Sequence, residues 1–190
     1  MSVILLLVSA MMTSISITKE KELGTMEVLL VSPLNPFQII VGKVIPYLLL
    51  SLVNTATVLV MSKFVFRVPI VGSLPLLIAE STLFLITALS LGILISTISN
   101  NQQTAMMISL GALMLPTIIL SGYIFPVENM PLILQWISNI IPARWYIRIV
   151  KGIMLKGVNF NYIWMETLIL LGMTVFFIAV SIKKFKIRLE

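Results

Sequence analysis

The sequence predicts an all-α membrane protein, a polytopic transmembrane helix bundle with about five spans. Of its 190 residues, 59% are hydrophobic and only 11% are charged, and the mean hydropathy is +1.11. A soluble domain averages about 45–50% apolar and about 25% charged residues, so this chain has more apolar surface than a core of its size can bury. Its apolar runs are long and do not alternate with period two, which favours helices over strands.

The composition excludes several kinds of chemical site. The chain has no His and no Cys, and all seven of its acidic residues are Glu. Thiol nucleophiles, disulfides, Cys or His metal sites and Ser-His-Asp arrangements are therefore absent from this sequence. The net charge of +6 is typical of the basic cytoplasmic side of a membrane protein. We expect no nucleic-acid partner, because no basic face is interleaved with stacking aromatics.

Five segments qualify as membrane spans, which need about 20 mostly apolar residues, and one of them does so marginally. The first is short, but it lacks the basic start and the small-x-small end of a secretory signal, and we interpret it as a spanning helix. No span contains a Gly-x-x-x-Gly pair, although small residues such as Gly92 and Gly111 allow helices to approach closely. The predicted spans are residues 1–17, 39–61, 74–98, 104–122 and 162–182.

The basic residues predict the orientation of the spans. They divide almost evenly between the two sides of the membrane, but the cluster from Lys183 to Arg188 directly follows the last span. Basic residues that flank a span closely dominate the positive-inside rule. We therefore expect a multi-pass protein of the inner membrane with its N-terminus outside and its C-terminus in the cytoplasm.

The connection between the first two spans is predicted to form a short amphipathic helix over residues 18–32. Leu23, Met26 and Leu30 recur at helical spacing, charged residues occupy the remaining surface, and Pro33 ends the helix. This helix joins two spans on the cytoplasmic face, so it is positioned to transmit a movement of a cytosolic partner to the membrane spans. The alternative interpretation is a solvated connector that its charges hold in the headgroup region.

The segment 123–158 is too interrupted by proline for one span and too apolar for a free loop. We expect short helices that re-enter the outer side of the membrane, with Trp136 and Trp145 at the interface, where aromatic residues are enriched. Such a segment is either an outer gate over a transport path or a cap that only closes the bundle.

Glu80 is the single ionisable residue within the third predicted span. Ionisable residues inside a membrane are energetically costly and usually face protein or water. Glu80 is therefore a possible intramembrane site for a cation or a proton. The alternative is a carboxyl near the interface that is protonated or hydrogen-bonded to a neighbouring helix.

Two sets of residues resemble the type-2 ABC transporter permeases. On the predicted cytoplasmic side these are Glu22-Leu-Gly-Thr-Met-Glu-Val-Leu-Leu-Val-Ser-Pro-Leu and Ile40-Val-Gly-Lys-Val-Ile-Pro-Tyr. On the predicted outer side they are Leu120-Ser-Gly-Tyr-Ile-Phe-Pro-Val-Glu-Asn-Met-Pro and Ile141-Pro-Ala-Arg-Trp-Tyr. The resemblance covers the chain from about Thr18 to its end.

The resemblance implies the membrane subunit of an exporter, paired with a second permease copy as a homo- or heterodimer and surrounded by membrane lipids. It also implies a cytosolic ABC ATPase partner that carries ATP and Mg. This sequence has no phosphate-binding loop motif, so we expect no cofactor on this chain itself. The implied ATPase-coupling residues are Glu20, Glu22, Leu23, Gly24, Thr25 and Glu27. The implied outer gate residues are Tyr123, Phe125, Pro126, Pro142, Arg144 and Trp145.

Full permease subunits of this subgroup begin with a further spanning helix and a large extracytoplasmic domain. This sequence begins within what would be the second helix, so we expect it to be a C-terminal portion or a truncated reading frame. A non-transporting regulatory or truncated membrane subunit is therefore the alternative to a working permease. An intramembrane enzyme is a weaker third alternative, since the chain has no His, Cys or Asp.

Overall fold

The computed structural model describes residues 1–24, 36–122, 124 and 126–187. All regular structure within these ranges is helical, which confirms the predicted all-α fold. A single 3₁₀ turn over Val127–Asn129 lies between two of the helices. The helices are α1 (Ser2–Glu22), α2 (Pro36–Phe64), α3 (Leu74–Ile98), α4 (Gln102–Leu120), α5 (Leu132–Ser138), α6 (Pro142–Lys156) and α7 (Phe160–Ile187).

Five helices in the described residues are long and apolar enough to cross a membrane: α1, α2, α3, α4 and α7. The bounds of α3 coincide with the predicted span over 74–98. At α2 and α7 the helix continues past the predicted span at both ends. Hydropathy identifies only the apolar part of a helix, whereas the backbone hydrogen bonds continue into polar residues until a breaker or a cap ends them.

The end of α1 shows the largest difference from the predicted elements. We expected a separate helix to start at Thr18, but the structure has Thr18 to Glu22 as the last turns of α1. No Gly or Pro interrupts this stretch, so the charged residues extend the apolar helix. The helix ends at Leu23 and Gly24, where Gly24 has φ +70°, a backbone conformation that favours glycine. Residues 25–32 of the predicted coupling helix lie outside the described residues.

Helix α3 is the centre of the bundle and contacts α1, α2, α4, α6 and α7. Along its spanning stretch 67% of the residues are buried, against 17% for α2 and for α4. Helix α1 approaches α3 at Gly92, where an added Cβ would lie only 2.4 Å from the carbonyl oxygen of Ala10. The predicted close approach at Gly92 is thus confirmed, whereas a Cβ on Gly111 would meet no atom within 4 Å.

Hydroxyl groups connect the helices inside the bundle. In hydrocarbon a hydroxyl finds few other partners, so side-chain hydrogen bonds between helices are a regular means of association. Four hydroxyl–hydroxyl contacts in the described residues each join a different pair of helices. They are Ser9–Ser51 (2.8 Å, α1 to α2), Ser14–Ser109 (3.0 Å, α1 to α4), Ser81–Tyr146 (2.7 Å, α3 to α6) and Thr87–Thr174 (2.7 Å, α3 to α7).

Helix α4 contains a π-helical turn over Leu110–Met114. Two residues later Pro116 occupies the second position of the following α-helical part. Proline lacks an N–H and its ring crowds the carbonyl four residues earlier, here that of Ala112. The wider turn gives the backbone room for this proline without ending the helix.

Candidate functional site

The last turn of α1 contacts three other helices through consecutive residues. We name Glu20, Lys21 and Glu22 the 20–22 cluster. At this end of the bundle α1 ends, α2 begins, α3 ends and α4 begins. Successive residues on an α-helix point about 100° apart, so three neighbours reach in three directions.

Glu22 caps the start of α4. Its Oε2 accepts hydrogen bonds from the backbone N and from the side-chain Nε2 of Gln102, both at 3.1 Å. Gln102 is the first residue of α4, and Asn101 before it accepts a hydrogen bond from the backbone N of Thr104 at 2.7 Å. The first N–H groups of a helix lack intrahelical partners and carry partial positive charge. A carboxylate from α1 therefore stabilises the start of α4.

Lys21 and Glu20 join α1 to the other two helices. The ammonium of Lys21 donates to the carbonyl oxygen of Ser96, in the last turn of α3, where carbonyls lack intrahelical partners and favour a cation. Glu20 forms an ion pair with Lys43 of α2, and both side chains are partly buried. The three residues thus hold the starts of α2 and α4 and the end of α3 to the end of α1.

The structure places the predicted coupling residues in two groups. The carboxylates of Glu20 and Glu22 bind Lys43 and Gln102 of the same chain. In contrast, Leu23 beside them is 63% exposed, and Gly24 is exposed at the helix end. Thr25 and Glu27 lie outside the described residues. The predicted coupling role of all six residues stays a prediction.

Four residues of this site were missed by the sequence analysis, namely Lys21, Lys43, Ser96 and Gln102. Lys43 did carry a signal, since a cation near the start of an apolar run needs a partner. The Asn-Asn pair at 100 and 101 is a helix-start signal that pointed to the α4 terminus. Nothing in the sequence indicated that Glu22 and Gln102, eighty residues apart, are in contact.

At the opposite end of the bundle α5 and α6 form a connected pair between α4 and α7, which we name the α5–α6 pair. Nη1 of Arg144 donates to the carbonyl oxygen of Gln135 at 3.1 Å and to the hydroxyl of Ser138. Nε1 of Trp145 donates to the carbonyl oxygen of Asn139 at 2.9 Å. These bonds fold the first turn of α6 back onto α5.

Of the predicted gate residues, Arg144 and Trp145 therefore both bond to α5. Pro142 occupies the first turn of α6, where its missing N–H needs no partner, and Pro126 precedes the 3₁₀ turn. Tyr123 and Phe125 lie outside the described residues. Burial, and then the positive charge of Arg148, lower the pKa of Arg144, although a guanidinium remains charged in proteins.

Glu80 lies between α3 and α7 and is 3% exposed. The hydroxyl of Thr167 donates to its Oε1 at 2.8 Å, while Oε2 is buried without a hydrogen-bond partner among the described residues. The arrangement fits a carboxyl hydrogen-bonded to a neighbouring helix, which was the second interpretation of this residue. Its role as an ion or proton site stays a prediction.

Tyr146 of α6 packs beside this carboxyl. Its ring stacks on Phe84 with centroids 4.0 Å apart and planes 3° from parallel. The Ser81 hydroxyl is 2.7 Å from the carbonyl oxygen of Leu77 as well as 2.7 Å from the Tyr146 oxygen. Because the Ser81 hydroxyl donates its hydrogen to the Leu77 carbonyl oxygen, the phenol of Tyr146 donates the hydrogen bond to Ser81. Burial raises the pKa of Tyr146 to about 12.

Comparisons with known proteins agree with the resemblance seen in the motifs. The model of the family described as "ABC-2 family transporter protein" matches residues 1–183. The chain is 35% identical over 189 residues to the probable multidrug ABC transporter permease YbhS of Escherichia coli, covering 100% of this chain and 50% of that protein. It is 38% identical over 152 residues to the probable multidrug ABC transporter permease YbhR of the same organism, covering 80% of this chain and 41% of that protein.

A further relative comes from another organism. ABC transporter G family member 20 of Dictyostelium discoideum is 32% identical over 172 residues, which are 90% of this chain and 23% of that protein. No solved structure matches the chain. The chain spans about half the length of the Escherichia coli permeases that it matches. The family model and the identities over nearly the whole sequence show that the chain belongs to the ABC-2 family of transporter proteins.

Proposed function

We propose that this chain is the membrane permease part of an ATP-driven exporter that moves its cargo between two permease copies. The observation that carries the proposal is the 20–22 cluster, which joins the end of α1 to α2, α3 and α4 just before residue 25. A force applied to the segment after Gly24 reaches all four helices at once. The names of the Escherichia coli relatives support several drug-like compounds as the cargo.

The coupling mechanism follows from how the cluster divides its contacts. Glu20 and Lys21 hold α2 and α3, while Glu22 holds the start of α4. Nucleotide-driven movement of an ATPase that binds the 25–35 segment would shift the end of α1. The starts of α2 and α4 and the end of α3 would then move with it as one unit.

ATP hydrolysis belongs in this proposal to a separate cytosolic subunit that binds ATP and Mg. The sequence has no Gly-x-x-x-x-Gly-Lys-Ser/Thr motif to hold a nucleotide phosphate. The end of the bundle with the 20–22 cluster then faces the cytoplasm, with the α5–α6 pair on the outside of the inner membrane. The exposed apolar residues of α2 and α4 are available to lipid or to the second permease copy.

The test is copurification of the full-length protein with its ABC ATPase, followed by efflux measurements on the same variants. We expect the ATPase to copurify with the native protein and with Glu22→Gln, whose contact lies within the chain, but to be lost with Glu27→Lys. Glu22→Gln should reduce efflux because the cap that α1 provides to α4 loses its negative charge.

Two results would contradict this proposal. If the native protein never copurifies with an ATPase, the coupling role is wrong. If the complex forms and hydrolyses ATP but no cargo moves in native cells or vesicles, the alternative of a non-transporting regulatory subunit replaces the exporter.

A further inference from the structure

We propose that the α5–α6 pair binds an anionic phospholipid, with the phosphate at Arg148 and Lys151 of α6 and an acyl chain along the exposed face of α5. This goes beyond the proposed transport function and does not depend on it. The inference rests on two surfaces of opposite character that the structure holds side by side.

The cationic surface belongs to α6, which is strongly divided between an apolar and a basic face. Ile149 and Ile153 are fully buried against the bundle. Arg144, Arg148 and Lys151 follow at i, i+4 and i+7, which places them along one face of the helix. Arg148 and Lys151 are exposed, and no carboxylate of the described residues forms an ion pair with either of them. Their positive charge therefore has no counter-charge from the described part of this chain.

Trp145 positions one of these two cations. The guanidinium carbon of Arg148 lies 5.4 Å from the centre of the indole ring, and that of Arg144 lies 5.5 Å from it. Arg144 is already engaged with Gln135 and Ser138, so its role is to hold the helix pair together. Arg148 keeps its donors available, and a guanidinium fork matches the geometry of a phosphate.

The apolar surface belongs to α5. Leu132, Ile133 and Trp136 are 73%, 74% and 76% exposed, a concentration of large apolar side chains on one two-turn helix. Arg144 and Trp145 bond to Gln135 and Ser138 of α5 and to Asn139 at its end, so the short helix that presents this surface adjoins the start of α6. Free phosphate would bind only to the cationic surface of α6, and an uncharged apolar molecule only to the apolar surface of α5. An anionic phospholipid has groups that bind to both surfaces.

Anionic lipids are favoured over zwitterionic lipids because a zwitterionic headgroup brings its own cation to the site. Basic residues near an anionic membrane surface strengthen binding by roughly fivefold each. Two unpaired cations should therefore give a preference on the order of tenfold or more for phosphatidylglycerol over phosphatidylcholine.

The experiment uses the full-length protein in nanodiscs of phosphatidylcholine, with increasing amounts of phosphatidylglycerol that carries brominated acyl chains. Bromine quenches tryptophan fluorescence at short range. Trp164 of α7 is also exposed, so all variants carry Trp164→Phe, and among the tryptophans of this chain the quenching then reports a lipid lying beside Trp136 and Trp145. We expect brominated phosphatidylglycerol to quench at a roughly tenfold lower mole fraction than brominated phosphatidylcholine. This preference should be lost in Arg148→Gln/Lys151→Gln.

The matched control is Lys63→Gln/Lys156→Gln, which removes the same charge from exposed residues at the same end of the bundle and should keep the preference. Arg148→Lys/Lys151→Arg keeps both charges and should retain most of it, which separates loss of the site from misfolding. Equal losses in the first two variants would overturn the proposal, since only overall charge would then matter. Absence of any preference in the native protein, or full competition by soluble glycerol phosphate, would overturn it as well.

Discussion

At the residue scale, the two glycines that the sequence analysis offered for close helix contact have different environments. A Cβ on Gly92 would lie 2.4 Å from the Ala10 carbonyl oxygen and 2.9 Å from the Thr13 Cβ. Both of these atoms belong to the rigid helix α1, so neither can move aside cheaply. Gly111 lies on α4 with open space around it. The sequence identifies both residues as small, and only the packing of α1 on α3 distinguishes them.

Gly92→Ala should therefore destabilise the protein by about 1–3 kcal/mol, the usual effect of forcing extra volume into a packed contact. Gly111→Ala should be neutral or slightly stabilising, because alanine restricts the unfolded chain without meeting a neighbour. Thermal unfolding of both variants in the same detergent measures the difference. Equal melting temperatures for the two variants would contradict the close contact between α1 and α3.

At the element scale, the sequence predicted the spans well and the connections between them poorly. A span needs about 20 apolar residues to cross the hydrocarbon layer, and this physical requirement is local in sequence. The contacts of the 20–22 cluster are not local, since Lys21 and Ser96 are 75 residues apart. The sequence singled out the charges on Glu20 and Glu22, but their partners depend on how four helix ends assemble. Short-range patterns carry no information on that assembly.

The ion pair between Glu20 and Lys43 allows a direct test of this assembly. Glu20→Lys should reduce efflux several-fold, because two ammonium groups would then face each other between partly buried residues. The double variant Glu20→Lys/Lys43→Glu restores opposite charges and should recover most of the lost efflux. Efflux and copurification of the ATPase are measured on the single and double variants. If the double variant is no better than the single one, the pair does not connect α1 to α2 in the working protein.

At the scale of the whole molecule, the bundle is organised around α3. This helix contacts α1, α2, α4, α6 and α7, whereas only 17% of the spanning stretch of α2 and of α4 is buried. In a membrane, burial against a neighbouring helix and exposure to lipid are both apolar environments, so hydropathy cannot rank the helices by position. The sequence therefore predicted five similar spans, whereas the structure has α3 at the centre and the other spans at its periphery.

Adjacent leucines on α7 test which face of that helix packs against the bundle. Leu170 is fully buried and Leu171 is 48% exposed. Leu170→Ala should leave a cavity and lower the free energy of unfolding by about 2–5 kcal/mol. We expect the lower end of this range, since lipid replaces water as the reference for the apolar side chain.

Leu171→Ala is the matched control and should change stability by much less, because lipid fills the space. Chemical or thermal unfolding in lipid nanodiscs compares the two variants. A larger loss for Leu171→Ala would place the opposite face of α7 against the bundle.

The π-helical turn in α4 has a geometric consequence for the faces of that helix. Ser109 and Thr117 are both buried, but eight residues of regular α-helix make about 2.2 turns and would place them roughly 80° apart. A π turn takes up one additional residue, so the same eight residues complete about two whole turns and both side chains return to the bundle side. The turn thus corrects the angular position of the side chains that follow it around the helix axis. Without it, the part of α4 before Leu110 could still meet Ser14, but Thr117 and Leu120 would rotate toward the lipid.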